Sequence, residues 1–440
     1  MNLETLRNKT ILLFGQPRAF SKEEFEAQLK VHDIEVVYQF KEDITLIIDG
    51  KMMTPYEQIE SEKIYELKKY DFTAIDIFEM ALAKALNEDI LLMSLKLSAD
   101  KQRLKIFLQN SMISNTLFLR LLKMYDWQNL DFFESDENRD VSASLIRRYY
   151  KNIEQNHNVE YASLGIMHLI SQTNSSELIS IIANLSPITK NEKIQAAIAT
   201  HFNTDIGILE KFIKKSSSYI KVLIAMREDL LESMQEQLLA LNDEKVKEAL
   251  SFNSNLYFSI IEKLMNEPKY AKNIAQHIRL SDKLFDLFRV KYAREVAKNN
   301  TLTFKMQESI IGSHDSDVVL SLASNSSLDA KVITELLVEG LEELNVLLYE
   351  NNSTPRENLI KAYDNKLNHF ALSHNENTPE NILRLLAQSG EMRVLFGLAA
   401  NPSTPVDILY QLQLDAQLAK IVKTNKTFLE NIKKENIGWQ

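Results

Sequence analysis

Apolar residues in the second half of the chain fall at fixed distances from a recurring asparagine. Counted from Asn401, they sit three before it and seven, eight and eleven after it: Leu398, Ile408, Leu409 and Leu412. The same offsets return at Asn375 with Leu372, Ile382, Leu383 and Leu386, and at Asn325 with Leu322, Val332, Ile333 and Leu336. The three later positions share one helical face, and the earlier one belongs to a second, shorter helical piece. Toward the N-terminus the anchor letter changes while the apolar positions persist. Asn253 follows Leu250 and precedes Ile260, Ile261 and Leu264; His277 follows Ile274 and precedes Leu284, Phe285 and Phe288. Arg227 and His201 take the same place after Ile224 and Ile198. With Asn299, Asn351 and Asn425 there are about ten anchors, about 22 to 26 residues apart. That period predicts stacked repeats, each burying its apolar face only against its neighbours. Units this short leave no room for two full helices, so one element is expected to shrink, down to a 3₁₀ turn. Asn110, with Phe107, Leu117, Phe118 and Leu121, reads as an earlier, degenerate copy.

The front of the chain is patterned differently. Ile11 to Phe14 is a short apolar run ending at Gly15, and Lys22 to Val31 is amphipathic, with Phe25 and Leu29 on one face. Strand-like runs follow at Ile34 to Phe40 and Ile44 to Asp49, then helical patterns at Ile59 to Tyr70 and Ile75 to Leu86 flank a short Phe72-Thr73 segment. This order predicts a small α/β domain with a parallel core. Between the two patterned parts, Leu91 to Leu97, Leu104 to Leu108 and Leu117 to Leu122 carry core-facing helical spacing, and Asp131 to Asp140 reads as an exposed acidic loop.

Composition narrows the chemistry. In 440 residues there are 9 Gly and 8 Pro, too few for many tight hairpins or long disordered linkers, so helix is the default. Cysteine is absent, which removes disulfides, thiolate metal sites and cysteine nucleophiles. Nothing approaches the roughly 18 apolar residues of a membrane span, and a cytoplasmic protein is the simplest expectation. The net charge is −10; the first 90 residues hold 18 acids against 11 bases, which is −7 of that total. Neither part has the broad positive field of a nucleic-acid binder, so nucleic acid is disfavoured as a partner.

The turns carry their own signature: Asn351 with Thr354 and Pro355, Asn375 with Thr378 and Pro379, Asn401 with Thr404 and Pro405. In each, the Thr is expected to cap the following helix, the Pro to occupy its first position, and an acid such as Asp407 to face its positive end. The Asn anchor is expected to bond local backbone. With these turns, MRVLFGLAANPSTPVDILYQLQLD resembles a leucine-rich repeat variant, a short all-helical repeat that alternates an α-helix with a 3₁₀ helix. The resemblance covers about 195 to 432 and is strongest from 345 to 415. The iron-sulfur module that precedes such repeats in the founding architecture needs cysteines, so no cofactor is carried over.

The front resembles a BRCT domain, with SEKIYELKKYDFTAIDIFEMALAKAL matching that family's last helix, strand and helix. Members that bind phosphopeptides place a hydroxyl residue before the glycine that ends the first strand and a lysine near the start of the second helix. Here those positions hold Phe14 and either Glu60 or Lys63.

Candidate sites are few. Arg147, Arg148 and Lys151 beside Tyr149 and Tyr150 form the one basic-aromatic cluster, of a kind that contacts nucleic acid by stacking and phosphate pairing. A solvated helix face whose tyrosines pack inward is the commoner outcome for such residues. No histidine pair has metal-site spacing; His369 and His374 suit a turn-lining role, and no metal is expected. No phosphate-cradling glycine loop or nucleophile elbow occurs. The expected architecture is mainly α: an α-solenoid of about ten helical repeats of about 22–26 residues over 195–440, after a BRCT-like α/β domain at 1–90 and an irregular helical connector at 91–194. The expected function is a non-enzymatic scaffold for a protein partner, with a DNA-associated role as the alternative.

Overall fold

A computed structural model describes residues 1–150, 159–338 and 341–436. The chain is mainly helical, with one small sheet at its N-terminus. It divides into two compact regions, Met1–Ile224 and Ala225–Gln440, a division that falls inside the stretch over which the repeat offsets run.

The first region opens on four parallel strands, β1 (Thr10–Phe14), β2 (Glu35–Val37), β3 (Ile44–Asp49) and β4 (Asp71–Ala74), in the order β2-β1-β3-β4. Ile11, Leu12, Leu13 and Phe14 are all buried, so both faces of β1 are covered, as a parallel sheet requires. The covering helices are α1 (Lys22–Val31), α2 (Pro55–Glu66) and α3 (Ile75–Ala85). Ile64 of α2 packs with Leu12, Phe14 and Ile47, while Phe25 of α1 meets Phe78 of α3 at 5.7 Å between ring centroids. β2 is shorter than the expected Ile34 to Phe40 because it is an edge strand paired with β1 over three residues only.

Beyond α3 come α4 (Glu88–Ser98) and further helices, including Lys101–Gln109, Asn115–Met124 and Asp136–Tyr149. The acidic segment Asp131 to Asp140 is not the exposed loop its composition implied. Ser135 accepts the Asn138 N–H and starts a helix whose first-turn acids, Asp136 and Glu137, lie at its positive end. Asn138 itself is buried and bonds the carbonyls of Trp127 and Asp131.

The second region is built of helical repeats. In the unit around Asn401, a nine-residue helix (Met392–Ala400) leads through a turn into a seven-residue helix (Val406–Leu412). Two turns of helix are marginal in water, so burial of Leu398, Ile408, Leu409 and Leu412 supplies what propensity cannot. The short element is α rather than 3₁₀; among the described residues of this region a 3₁₀ turn is found at Lys366–Asn368. All four apolar offsets at Asn325, Asn375 and Asn401 are buried. The first helices of successive units stack more intimately than the second ones. Gly397 permits one such approach, since a Cβ there would collide with Ser373 Oγ.

Candidate interaction surface

The anchor asparagines are the inner frame of the second region. Each turns its side-chain amide toward the preceding unit, not only toward its own turn. The Nδ2 of Asn351 donates to the carbonyls of Ala323 (2.8 Å) and Asn325 (2.7 Å). Asn375 reaches Tyr349 and Asn351, Asn401 reaches Ser373 and Asn375, and Asn425 reaches Ala399 and Asn401. Asn325 and Asn253 do the same one and several units earlier. Each Oδ1 meanwhile accepts the N–H two residues on, at 2.8 Å in Asn351, Asn375 and Asn401. Both donors and one of the two acceptor positions of the buried amide are thus filled. The residue two before the anchor, whose carbonyl the next asparagine bonds, is small at Ala297, Ala323, Ser373 and Ala399, though it is Tyr349 before Asn351. That signal is readable in the sequence.

The threonines face the opposite way from expectation. Thr378 and Thr404 donate their hydroxyls to the carbonyls of Leu372 and Leu398, each at 2.7 Å, and Thr354 bonds Leu348. They close the end of the preceding helix rather than capping the next one. The N-cap is the proline: Pro355, Pro379 and Pro405 have extended ψ values of 139°, 144° and 142°, and helix begins one residue later. Asp407 does lie at its helix start, where the Arg384 guanidinium holds its carboxyl below the usual range.

On the outward side of the first-helix row, one offset changes character along the region. Five residues before the anchor stand Glu248, Lys272 and Arg294, then Leu320, Val346, Phe370 and Phe396, and at the last anchor a charge again, Lys420. The first three join neighbouring units by ion pairs: Lys269–Glu248 at 3.0 Å, Lys272–Glu295 at 3.7 Å, and Arg294–Asp317. Where the charges stop, a cavity of about 1190 Å³ opens, lined by Leu320, Leu341, Val346, Leu347 and Leu367. Leu341, Leu367 and Phe370 are 57%, 61% and 40% exposed. Glu342 and Glu343 stand at its rim and form no ion pair among the described residues. This groove went unnoticed in the sequence because only the inward offsets were followed.

The other sequence candidates have internal roles. Arg148 stacks on Phe118 at 4.6 Å and donates to the carbonyls of Asn110 (2.7 Å) and Ile113 (2.8 Å); its burial pulls its pKa down. It thereby fills the place that a following asparagine fills elsewhere. Asn110 keeps the local turn bond from Met112 N–H, yet its buried Nδ2 has no partner. Arg147 pairs with Glu160 at 2.6 Å. Lys151 and His157 lie outside the described residues. His369 Nε2 bonds the Tyr363 carbonyl at 2.8 Å and its ring stacks on Tyr363, while His374 Nδ1 meets the Phe370 carbonyl at 3.0 Å. Among the described residues no group of three or more His, Asp or Glu is placed to hold a metal, and no helix is long and apolar enough to cross a membrane.

The sheet has a natural anion site, the crevice at the carboxyl ends of β1 and β3 where the strand order reverses. Here the protein fills it with its own carboxylates. Glu79, fully buried, accepts the N–H groups of Arg18, Ala19 and Phe20 at 2.9 to 3.2 Å, and Glu57 accepts that of Gly15 at 3.1 Å. Burial raises the Glu79 pKa against the lowering effect of those donors. A main-chain bridge between Gln16 and Lys51 closes the crevice, and Phe14 is core.

Comparison with known proteins returns nothing: no family model, no curated protein and no solved structure matches this chain.

Proposed function

We propose that this protein is a non-enzymatic scaffold that holds a protein partner against the apolar groove of its first-helix row. In this reading the second region is a helical solenoid similar to leucine-rich repeat variants, with a short α-helix where those repeats have a 3₁₀ helix. The β2-β1-β3-β4 order with three covering helices supports a BRCT-like head that does not bind phosphate, because Glu79 already occupies the anion position. The observation that carries the proposal is the change five residues before the anchor, from ion-paired charge to Leu320, Val346, Phe370 and Phe396. Of these Phe370 is exposed, as are Leu341 and Leu367 at the cavity, while Leu320, Val346 and Phe396 are half-buried; exposed apolar side chains along a stack are the usual mark of a docking face. Of the residues that suggested the nucleic-acid alternative, Arg147 is paired with Glu160 at the surface and Arg148 is bonded to the main chain, while Lys151 lies outside the described residues.

The test is affinity capture from the native cell with the full chain and three variants. Partners retained by the wild type and by Lys272→Ala, but lost by Leu367→Asp and Leu347→Asp, support the groove. Retention unchanged by both groove substitutions refutes it. Duplex DNA binding that weakens steeply with salt would restore the alternative.

A further inference from the structure

Asn110 stands where an anchor should, but its ladder is broken on one side. Its Oδ1 accepts the Met112 N–H at 2.8 Å, as at the regular anchors, and that bond identifies the other end of the amide as the donor Nδ2. At Asn325 and Asn351 the main-chain carbonyl serves the following unit and the side-chain amide the preceding one. The Asn110 carbonyl receives Arg148 at 2.7 Å, which marks its forward side. By the same geometry the amide faces back, and there it meets no carbonyl: Asn110 is 3% exposed and its buried Nδ2 has no partner.

What stands on that side is the loop that follows β1. Phe20 meets Phe107 edge-on at 6.1 Å, and the loop at 18–21, Lys51 and the segment around Asn110 enclose a cavity of about 370 Å³. Its charged lining residues are Arg18 and Lys51, with no acid among them. Arg18 is already paired with Asp76 at 2.5 Å, whereas Lys51 forms no ion pair among the described residues. The main-chain donors of Arg18, Ala19 and Phe20 are spent on Glu79, so this cavity is separate from the crevice that Glu79 fills. It is left with two amide N–H groups and one ammonium to satisfy.

We propose that this cavity binds a carboxylate, supplied by the end of a peptide chain or by a small organic acid, with its oxygens on Asn110 Nδ2 and Lys51 Nζ. A carboxylate has two oxygens and about four lone-pair sites, enough to take both amide N–H groups in place of the two missing carbonyls and to accept from the ammonium as well. Its single negative charge matches the single unpaired cation. A neutral carbonyl would serve the amide and leave Lys51 unmet.

Nitrogen-proton correlation spectra of the full ¹⁵N-labelled chain read the site through the side-chain NH₂ pair of Asn110, identified by its absence in Asn110→Ser. Acetate, titrated against sodium chloride at constant ionic strength, is expected to move that pair saturably with a midpoint of about 1 to about 10 mM. Acetyl-tetraalanine with a free C-terminal carboxylate, and the same peptide amidated, separate the two sources. Tighter binding of the acid peptide than of acetate supports the proposal and assigns the site to a chain end; acetate binding as tight or tighter supports it and assigns a small organic acid. Lys51 is exposed, so Lys51→Ala is expected to melt as the wild type does while weakening acetate at least about tenfold. Four results would each overturn the proposal: saturation by neither acetate nor the acid peptide, an amidated peptide that binds as well as the acid, Lys51→Ala with unchanged acetate affinity, or inorganic phosphate saturating the site where acetate does not.

Discussion

The repeats around Asn253 and Asn299 and those around Asn351, Asn375 and Asn401 share one interior and differ on one surface. In both sets the anchor amide spans two carbonyls of the unit before it. Five residues earlier, the first set presents Glu248 and Arg294 and the second presents Val346, Phe370 and Phe396. Stacking and the character of the outer face are therefore set at different offsets of the same repeat, and each can vary without the other. His277 shows a partial exception on the inside. There the side-chain donor is lost, and a main-chain bond from the Arg279 N–H to the Ser254 carbonyl at 2.8 Å joins the turns instead.

Substituting the interior should have the largest effect. Asn375→Asp places a carboxylate against the carbonyls of Tyr349 and Asn351 in a fully buried site. A loss of about 3 to 5 kcal/mol is expected in denaturant unfolding at pH 7. It should shrink toward pH 4, because protonation removes the charge. Thr378→Val, which leaves the Leu372 carbonyl without its hydroxyl, should cost about 1 to 2 kcal/mol. An equal loss from a Val at exposed Ser326 would break the distinction between inside and outside.

Glu79 sharpens the contrast between buried and exposed charge. Its folded pKa is raised, chiefly by burial, so the folded state holds its proton more tightly than the unfolded one. Its contribution to stability is fullest below the unfolded value near pH 4.3 and is lost as pH rises through the folded value. Glu79→Gln should remove that component from a stability profile between pH 4 and 8, whereas Asp317→Asn, on the exposed row, should leave it in place. The smallest effect is expected from that row itself. Arg294→Ala should cost less than about 1 kcal/mol, with the difference from wild type fading in high salt.

Much of the secondary structure was legible because it rests on short-range physics. The limits of α1 and β3, Lys22–Val31 and Ile44–Asp49, follow from amphipathic spacing and β-branched bias, and the inward offsets follow from the period of a helix. What escaped was non-local. An asparagine amide looks local when one turn is read alone, yet its acceptors lie 21 to 28 residues back. Thr404 has the sequence context of a cap, but the proline after it takes the N-cap and turns the hydroxyl backward. Arg148 looked like a surface cation, and only the fold brings Phe118 and the Asn110 carbonyl to it. The outward groove was visible in principle as a column of letters five before each anchor.

The ladder also gives the repeat stack a direction. Every anchor asparagine of the second region donates backward, so loss of the last unit leaves the one before it with bare carbonyls, which water or a second lone pair accommodates cheaply. Loss of an earlier unit strands the two N–H groups of the next asparagine in an apolar setting, the situation already seen at Asn110. Unravelling should therefore run from the C-terminal end, with hydrogen exchange reaching Asn425 well before Asn325. Shortening the array from that end should leave a folded remainder, while cutting into it from the other side should not.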